Sequence, residues 1–201
     1  MDFQIIIKIS LIIFSVTCFT VSWLFFDSLR LRFEIKTFLK LLGFLLLGIG
    51  FGSELVKSSI VEIIPLLIWL RMLGLYFLLA AFALDPHSKL QIGMIFGIIA
   101  LIFTRDHLSL MILSLLISLL VTHLSYLTKH KDLIPFGTGF VLISIAEFFR
   151  SIEKIDTGQF NLASAFMYLF ASVALMLWLW SYLTIRFNLP AGRHGLKQSR
   201  T

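Results

Sequence analysis

Seven long apolar runs, separated by short charged connections, constrain this chain more than any other feature. A helix needs about twenty apolar residues to cross the hydrocarbon core of a bilayer, where every backbone N–H and C=O must be satisfied within the segment. The runs read as spans over Ile5–Phe26, Ile35–Val56, Ile60–Leu84, Lys89–Phe103, His107–Leu127, Leu133–Ile152 and Phe160–Ile185. The fourth is the shortest; it thins the bilayer locally or enters and leaves on one side. A water-soluble alternative is excluded by composition. Only 14% of the 201 residues are charged, against about a quarter in a soluble domain. The fold class expected is therefore all-α, a polytopic membrane helix bundle. Residues 1–185 form a seven-span transmembrane domain and 186–201 a basic tail.

Loop charges give an independent reading of sidedness. Of the 17 basic residues, an outside amino terminus puts Arg30, Arg32, Lys36, Lys40, Lys89, Lys129, Lys131, Arg186, Arg193, Lys197 and Arg200 on the inner side. Lys8, Lys57, Arg105, Arg150 and Lys154 fall on the outer side, and Arg71 within the membrane. Cytoplasmic loops retain Lys and Arg, so this asymmetry favours the amino end out, the carboxyl end cytoplasmic and a cell (plasma) membrane location. The same bias accounts for the net charge of +6 without a nucleic-acid partner. Trp23, Tyr126, Trp178, Trp180 and Tyr182 lie near the expected inner interface, where amphipathic rings settle. The first run lacks a preceding basic residue and is too long for a cleavable signal, so it reads as a retained anchor. Pro86, Pro135 and Pro190 punctuate span boundaries, while Pro65 is expected to bend the outer half of span three.

An ionised side chain within a bilayer needs a partner or water. Arg71, about 16 Å below the outer end of span three, is the clearest case, because a guanidinium does not discharge. Candidate carboxylates are Glu62 and Glu147. Glu62 lies about 13 Å away along the same helix, whereas Glu147 occupies the outer half of span six with Arg150 one turn beyond. Arg71, Glu147 and Arg150, with Glu62 and Lys8 near the mouth, are expected to form a polar cluster in the outer half. It would be either a pocket for a small polar or anionic ligand or an ion pair locking two helices.

Span five carries Ser114, Ser118 and Thr122 along one stripe with His123 beyond it. Close helix packing is the main expectation, and a polar path past His123 the functional alternative. Gly48 with Gly52, and Gly93 with Gly97, are GxxxG pairs suited to packing. Phe38–Gly43 (FLKLLG) is similar to Trp69–Gly74 (WLRMLG), although consecutive spans run in opposite directions and leucine-rich segments match easily by chance.

The lone cysteine, Cys18, provides no disulfide, CxxC pair or thiolate cage. The histidines lack metal-ligand spacing, and no GxSxG, HExxH or Walker loop is present. Ser151-Ile152-Glu153-Lys154 contains SxxK only formally. No enzymatic activity, metal or cofactor is therefore expected. In span number and orientation the chain is similar to microbial rhodopsins and to the seven-helix sensory regions of prokaryotic signalling kinases. Span seven holds no lysine for a retinal Schiff base. Two functions are expected: a sensory or accessory subunit, or a small transporter or ion-conducting subunit. The basic tail is expected to meet anionic lipids or a cytoplasmic protein, and the bundle other membrane subunits.

Overall fold

The computed structural model describes residues 3–56, 64–84, 107–152 and 159–186, which are helical with short connections and contain no strand. The helices are α1 (Phe3–Leu31), α2 (Ile35–Gly52), α3 (Ile64–Ala83), α4 (His107–Thr128), α5 (Ile134–Ile152) and α6 (Gln159–Arg186). A 3₁₀ turn, Ser53–Val56, continues α2, and another, Lys131–Leu133, leads into α5. By length and composition, α1, α2, α4, α5 and α6 can cross a membrane; the apolar stretch Leu67–Ala83 of α3 is shorter. The chain is thus a helical membrane protein. Span four and the Gly93–Gly97 pair lie outside the described residues.

Each helix packs on its sequence neighbour, and α6 returns to α1, closing a ring. Large rings from several helices fill its interior. Phe44 of α2 meets Phe140 of α5 at 6.2 Å, Phe14 of α1 meets Tyr168 of α6 at 5.4 Å, and Phe136 meets Trp178 at 4.7 Å. Outward positions carry exposed Ile, Leu, Val, Phe and Trp side chains, as required of a surface whose solvent is lipid. Lipid tails are as apolar as leucine, so helix association in a bilayer depends on close packing and interhelical hydrogen bonds rather than on exclusion of water.

The sequence supplies both. Hydroxyls that would be unsatisfied in hydrocarbon donate to the preceding turn, as Thr17 does to Ile13 O and Ser114 to Leu110 O. Others cross between helices: Ser15 donates to Gly48 O at 2.8 Å, Ser22 to Leu41 O at 3.2 Å and Ser144 to Met111 O at 3.0 Å. Gly48 and Gly52 accept the Phe19 ring and the Ser15 side chain of α1. Closest of all is the crossing of α2 and α3. A Cβ on Gly43 would lie 2.9 Å from Gly74 O, and one on Gly74 would lie 2.8 Å from Gly43 O. The similar segments FLKLLG and WLRMLG thus bring their terminal glycines together. The relation is reciprocal: Gly43 faces Leu78, while Gly74 faces Leu47.

Connections follow local chemistry. Lys129 takes a left-handed conformation (φ 57°) that ends α4, and Ser125 donates to His130 O at 2.7 Å across the turn. Pro135 stands in the first turn of α5, where its missing N–H costs nothing. Pro65 likewise falls in the first described turn of α3, and the outer half of span three that it was expected to bend lies partly in 57–63, outside the described residues.

Residues from most of the helices gather at each end. At one end, called here the Lys40 end, Phe25, Lys40, Phe82, His130, Phe136 and Trp178 approach one another. At the other, the Glu147 end, Glu54, Arg71, His107 and Tyr168 gather around Glu147, with Phe14 of α1 against Tyr168. Helix α3 therefore runs from the Glu147 end to the Lys40 end, and α4 starts again at the Glu147 end.

Candidate polar site at the Glu147 end

Arg71 is 3% exposed, Glu147 1% and Arg150 8%. The carboxylate that joins the two arginines is Glu54, which stands in the 3₁₀ turn after α2. Arg150 grips it in a fork, Nη1 donating to Oε2 at 3.1 Å and Nη2 to Oε1 at 2.6 Å. Arg71 Nη2 donates to the same Oε2. Two parallel N–H donors on one carboxylate is the geometry in which a guanidinium binds most strongly. Arg71 also donates from Nε and Nη2 to Gly50 O, at 3.3 and 3.2 Å, and lies over the Phe51 ring with its guanidinium carbon 4.0 Å from the centroid. Glycine at position 50 makes this possible, because a Cβ there would fall 2.8 Å from Arg71 Cγ.

Glu147 is the second carboxylate. Tyr168 Oη donates to its Oε1 at 2.6 Å, and His107 Nδ1 stands 2.7 Å from its Oε2. Arg71 Nη1 completes the group 4.0 Å from Oε1. Arg150 also faces the Tyr168 ring, 5.6 Å from its centroid. Two guanidiniums and two carboxylates balance in formal charge, and the side chains come from α3, α4, α5, α6 and the turn after α2. Breaking such a buried arrangement by removing one partner leaves an uncompensated charge in a poorly solvated place.

The cluster is closed on the bundle side. Beneath it lie Phe14, Phe51 and Leu47, all buried. The members with more access to the surroundings are the side chains of His107, 21% exposed, and Glu54, 14% exposed. Glu54 thus covers two more deeply buried guanidiniums. Among the described residues no group of His, Cys, Asp and Glu is arranged to hold a metal ion.

The expected cluster and the observed one differ in their wiring. Arg71, Glu147 and Arg150 do come together. Arg150 does not hold Glu147 as its direct partner, however, but forks onto Glu54. Glu62 lies outside the described residues. The sequence reading passed over Glu54, His107 and Tyr168 as members. For Glu54 a signal existed: aligning Gly43 with Gly74 across an antiparallel pair sets Gly50 against Leu67, one turn from Arg71, with Glu54 one turn further along the chain from Gly50.

The span-five stripe is largely engaged in packing. Ser114 and Ser118 are buried, and Thr122 Oγ1 would lie 3.1 Å from a Cβ on Gly137 of α5. His123 is half-buried on α4, about 24 Å along the axis from His107. Ser151 donates to Phe148 O, while the Glu153 and Lys154 of the SxxK string lie outside the described residues. No protein-family model, curated protein or solved structure matches the chain.

Proposed function

We propose that this protein is a non-enzymatic sensory or accessory membrane subunit whose ligand carries an anionic group and competes with Glu54 for Arg71. The observation that carries this reading is the bridging of Arg71 on α3 and Arg150 on α5 by one less-buried carboxylate. Displacing Glu54 removes the carboxylate link from the turn after α2 to both helices at once. Arg71 then keeps Gly50 O and the more distant Glu147, Arg150 loses its fork, and α3 and α5 shift relative to each other. The basic tail 186–201 passes that shift to anionic lipids or to a cytoplasmic partner.

Seven crossings, amino end out in a plasma membrane, accord with this reading. Residues 85–106 join α3 at the Lys40 end to α4 at the Glu147 end, and the loop charges favour the Lys40 end as cytoplasmic. The transporter or ion-conducting alternative lacks comparable support. Among the described residues, the layer between the ends is packed with Phe44, Leu113, Ile117 and Phe140, all buried.

The test is a titration of the protein in nanodiscs with acetate, succinate and inorganic phosphate, spin labels replacing exposed Leu73 on α3 and Phe148 on α5. At least one anion is expected to change the interlabel distance, and Arg150→Gln to abolish the response. No change with any of them overturns the mechanism. Protein-dependent ion flux in liposomes that Glu147→Gln abolishes would replace the sensor with a conductor.

A further inference from the structure

We propose that the cavity at the Lys40 end binds the headgroup of a zwitterionic phospholipid, a phosphate ester with a terminal ammonium. The proposal is independent of the polar site at the opposite end. The cavity measures about 250 Å³, the room of roughly eight water molecules, which suits a headgroup rather than a whole lipid.

Its walls carry both signs of charge. Lys40 enters from α2, and Asp132 and His130 stand on the connection between α4 and α5, His130 Nδ1 lying 3.7 Å from Asp132 Oδ1. Lys40 is positioned by aromatic faces: its Nζ is 4.8 Å from the Phe82 centroid and 5.8 Å from that of Phe25. Phe136, Trp178 and Tyr182 complete the lining, Trp178 being 4.7 Å from Phe136 and 5.9 Å from Tyr182 between centroids. Ring faces attract an ammonium, and a carboxylate beside them adds direct pairing. Phosphate therefore goes to Lys40, and ammonium to Asp132 and the rings.

Location selects a lipid as the source. Exposed Trp23, Tyr126 and Trp180 stand on α1, α4 and α6 close in sequence to the cavity residues Phe25, His130 and Trp178. Such amphipathic rings gather at headgroup level, so the cavity opens where headgroups are concentrated. Lys40 alone would accept any phosphate; Asp132 discriminates, pairing with an ammonium and repelling a headgroup that carries only negative charge.

The experiment is native mass spectrometry of the full chain in mild detergent with equal amounts of phosphatidylethanolamine and phosphatidylglycerol. Soluble glycerophosphoethanolamine serves as a separate competitor. Wild type is expected to retain phosphatidylethanolamine about tenfold over phosphatidylglycerol. Asp132→Asn is expected to reduce that ratio to near one, and Lys40→Gln to weaken retention of both. Equal retention by wild type, or a preference that survives Asp132→Asn, overturns the proposal. Competition by glycerophosphoethanolamine at the lipid's own concentration overturns the lipid as source. Should Asp132→Asn fail to fold, the wild-type ratio still decides.

Discussion

Replacing Gly74 by alanine tests how helix packing supports the polar site. A Cβ there meets Gly43 O at 2.8 Å, Leu47 Cγ at 3.1 Å and Leu47 N at 3.2 Å, where ordinary contact begins at 3.4 Å. Two of the three are backbone atoms, so relief requires α2 and α3 to part by about 0.6 Å at the crossing. The hydrogen bonds from Arg71 to Gly50 O, now 3.2 and 3.3 Å, would stretch to about 3.8 Å, beyond useful range. Overpacking costs about 1–3 kcal/mol, and loss of a bond from a charged donor about 1.5–3 kcal/mol. Alanine's better helix propensity returns about 1 kcal/mol. The net expectation is a loss of about 1.5–5 kcal/mol. Gly137→Ala is the comparison, because the one tight contact there is the rotatable Thr122 hydroxyl at 3.1 Å; its expected cost is below about 1 kcal/mol. Both are measured by reversible denaturation with sodium dodecyl sulfate in mixed micelles, followed by tryptophan fluorescence. A Gly74→Ala protein as stable as Gly137→Ala would refute the reasoning.

Three further outcomes are expected. Glu54→Gln should destabilise by about 3–5 kcal/mol, and the cycle with Arg150→Met should show coupling above about 1.5 kcal/mol; additive losses would show that the fork carries no energy. Tyr168→Phe should cost about 1–3 kcal/mol by removing the hydroxyl donor to Glu147 Oε1, with far-ultraviolet dichroism unchanged because the ring contacts with Phe14 and Phe51 remain. Lys129→Gly should stabilise by up to about 1 kcal/mol, since glycine adopts the φ of 57° without a Cβ penalty; a lower midpoint in the same denaturation assay would contradict it.

How much was legible in the sequence follows from the physics at each position. The bilayer permits few backbone solutions, so span bounds at Ile35, His107 and Ile152 could be read from apolar length alone. Arg71 stood out because a guanidinium in an apolar run has few ways to exist. Its partner was harder. Glu54 sits beside the boundary of span two, where a carboxylate ordinarily meets water, and only the close crossing at Gly43 and Gly74 brings α2 near enough to α3 for that end to fold over Arg71. Tyr168 carried no signal, as one hydroxyl among many rings becomes a donor only once α6 faces Glu147. The cavity at the Lys40 end was equally hidden, since its lining comes from five helices and the connection between α4 and α5.

The most direct measurement is chemical rescue of Glu54→Ala. With the side chain gone, Arg71 and Arg150 face an unoccupied carboxylate position, and free formate or acetate can enter it. Thermal denaturation in detergent at constant ionic strength should show these anions raising the midpoint of the variant while leaving wild type unmoved, with chloride far less effective because it lacks two oxygens for the fork. Equal responses of variant and wild type, or no response to either carboxylate, would contradict a carboxylate-binding pair of arginines beneath Glu54.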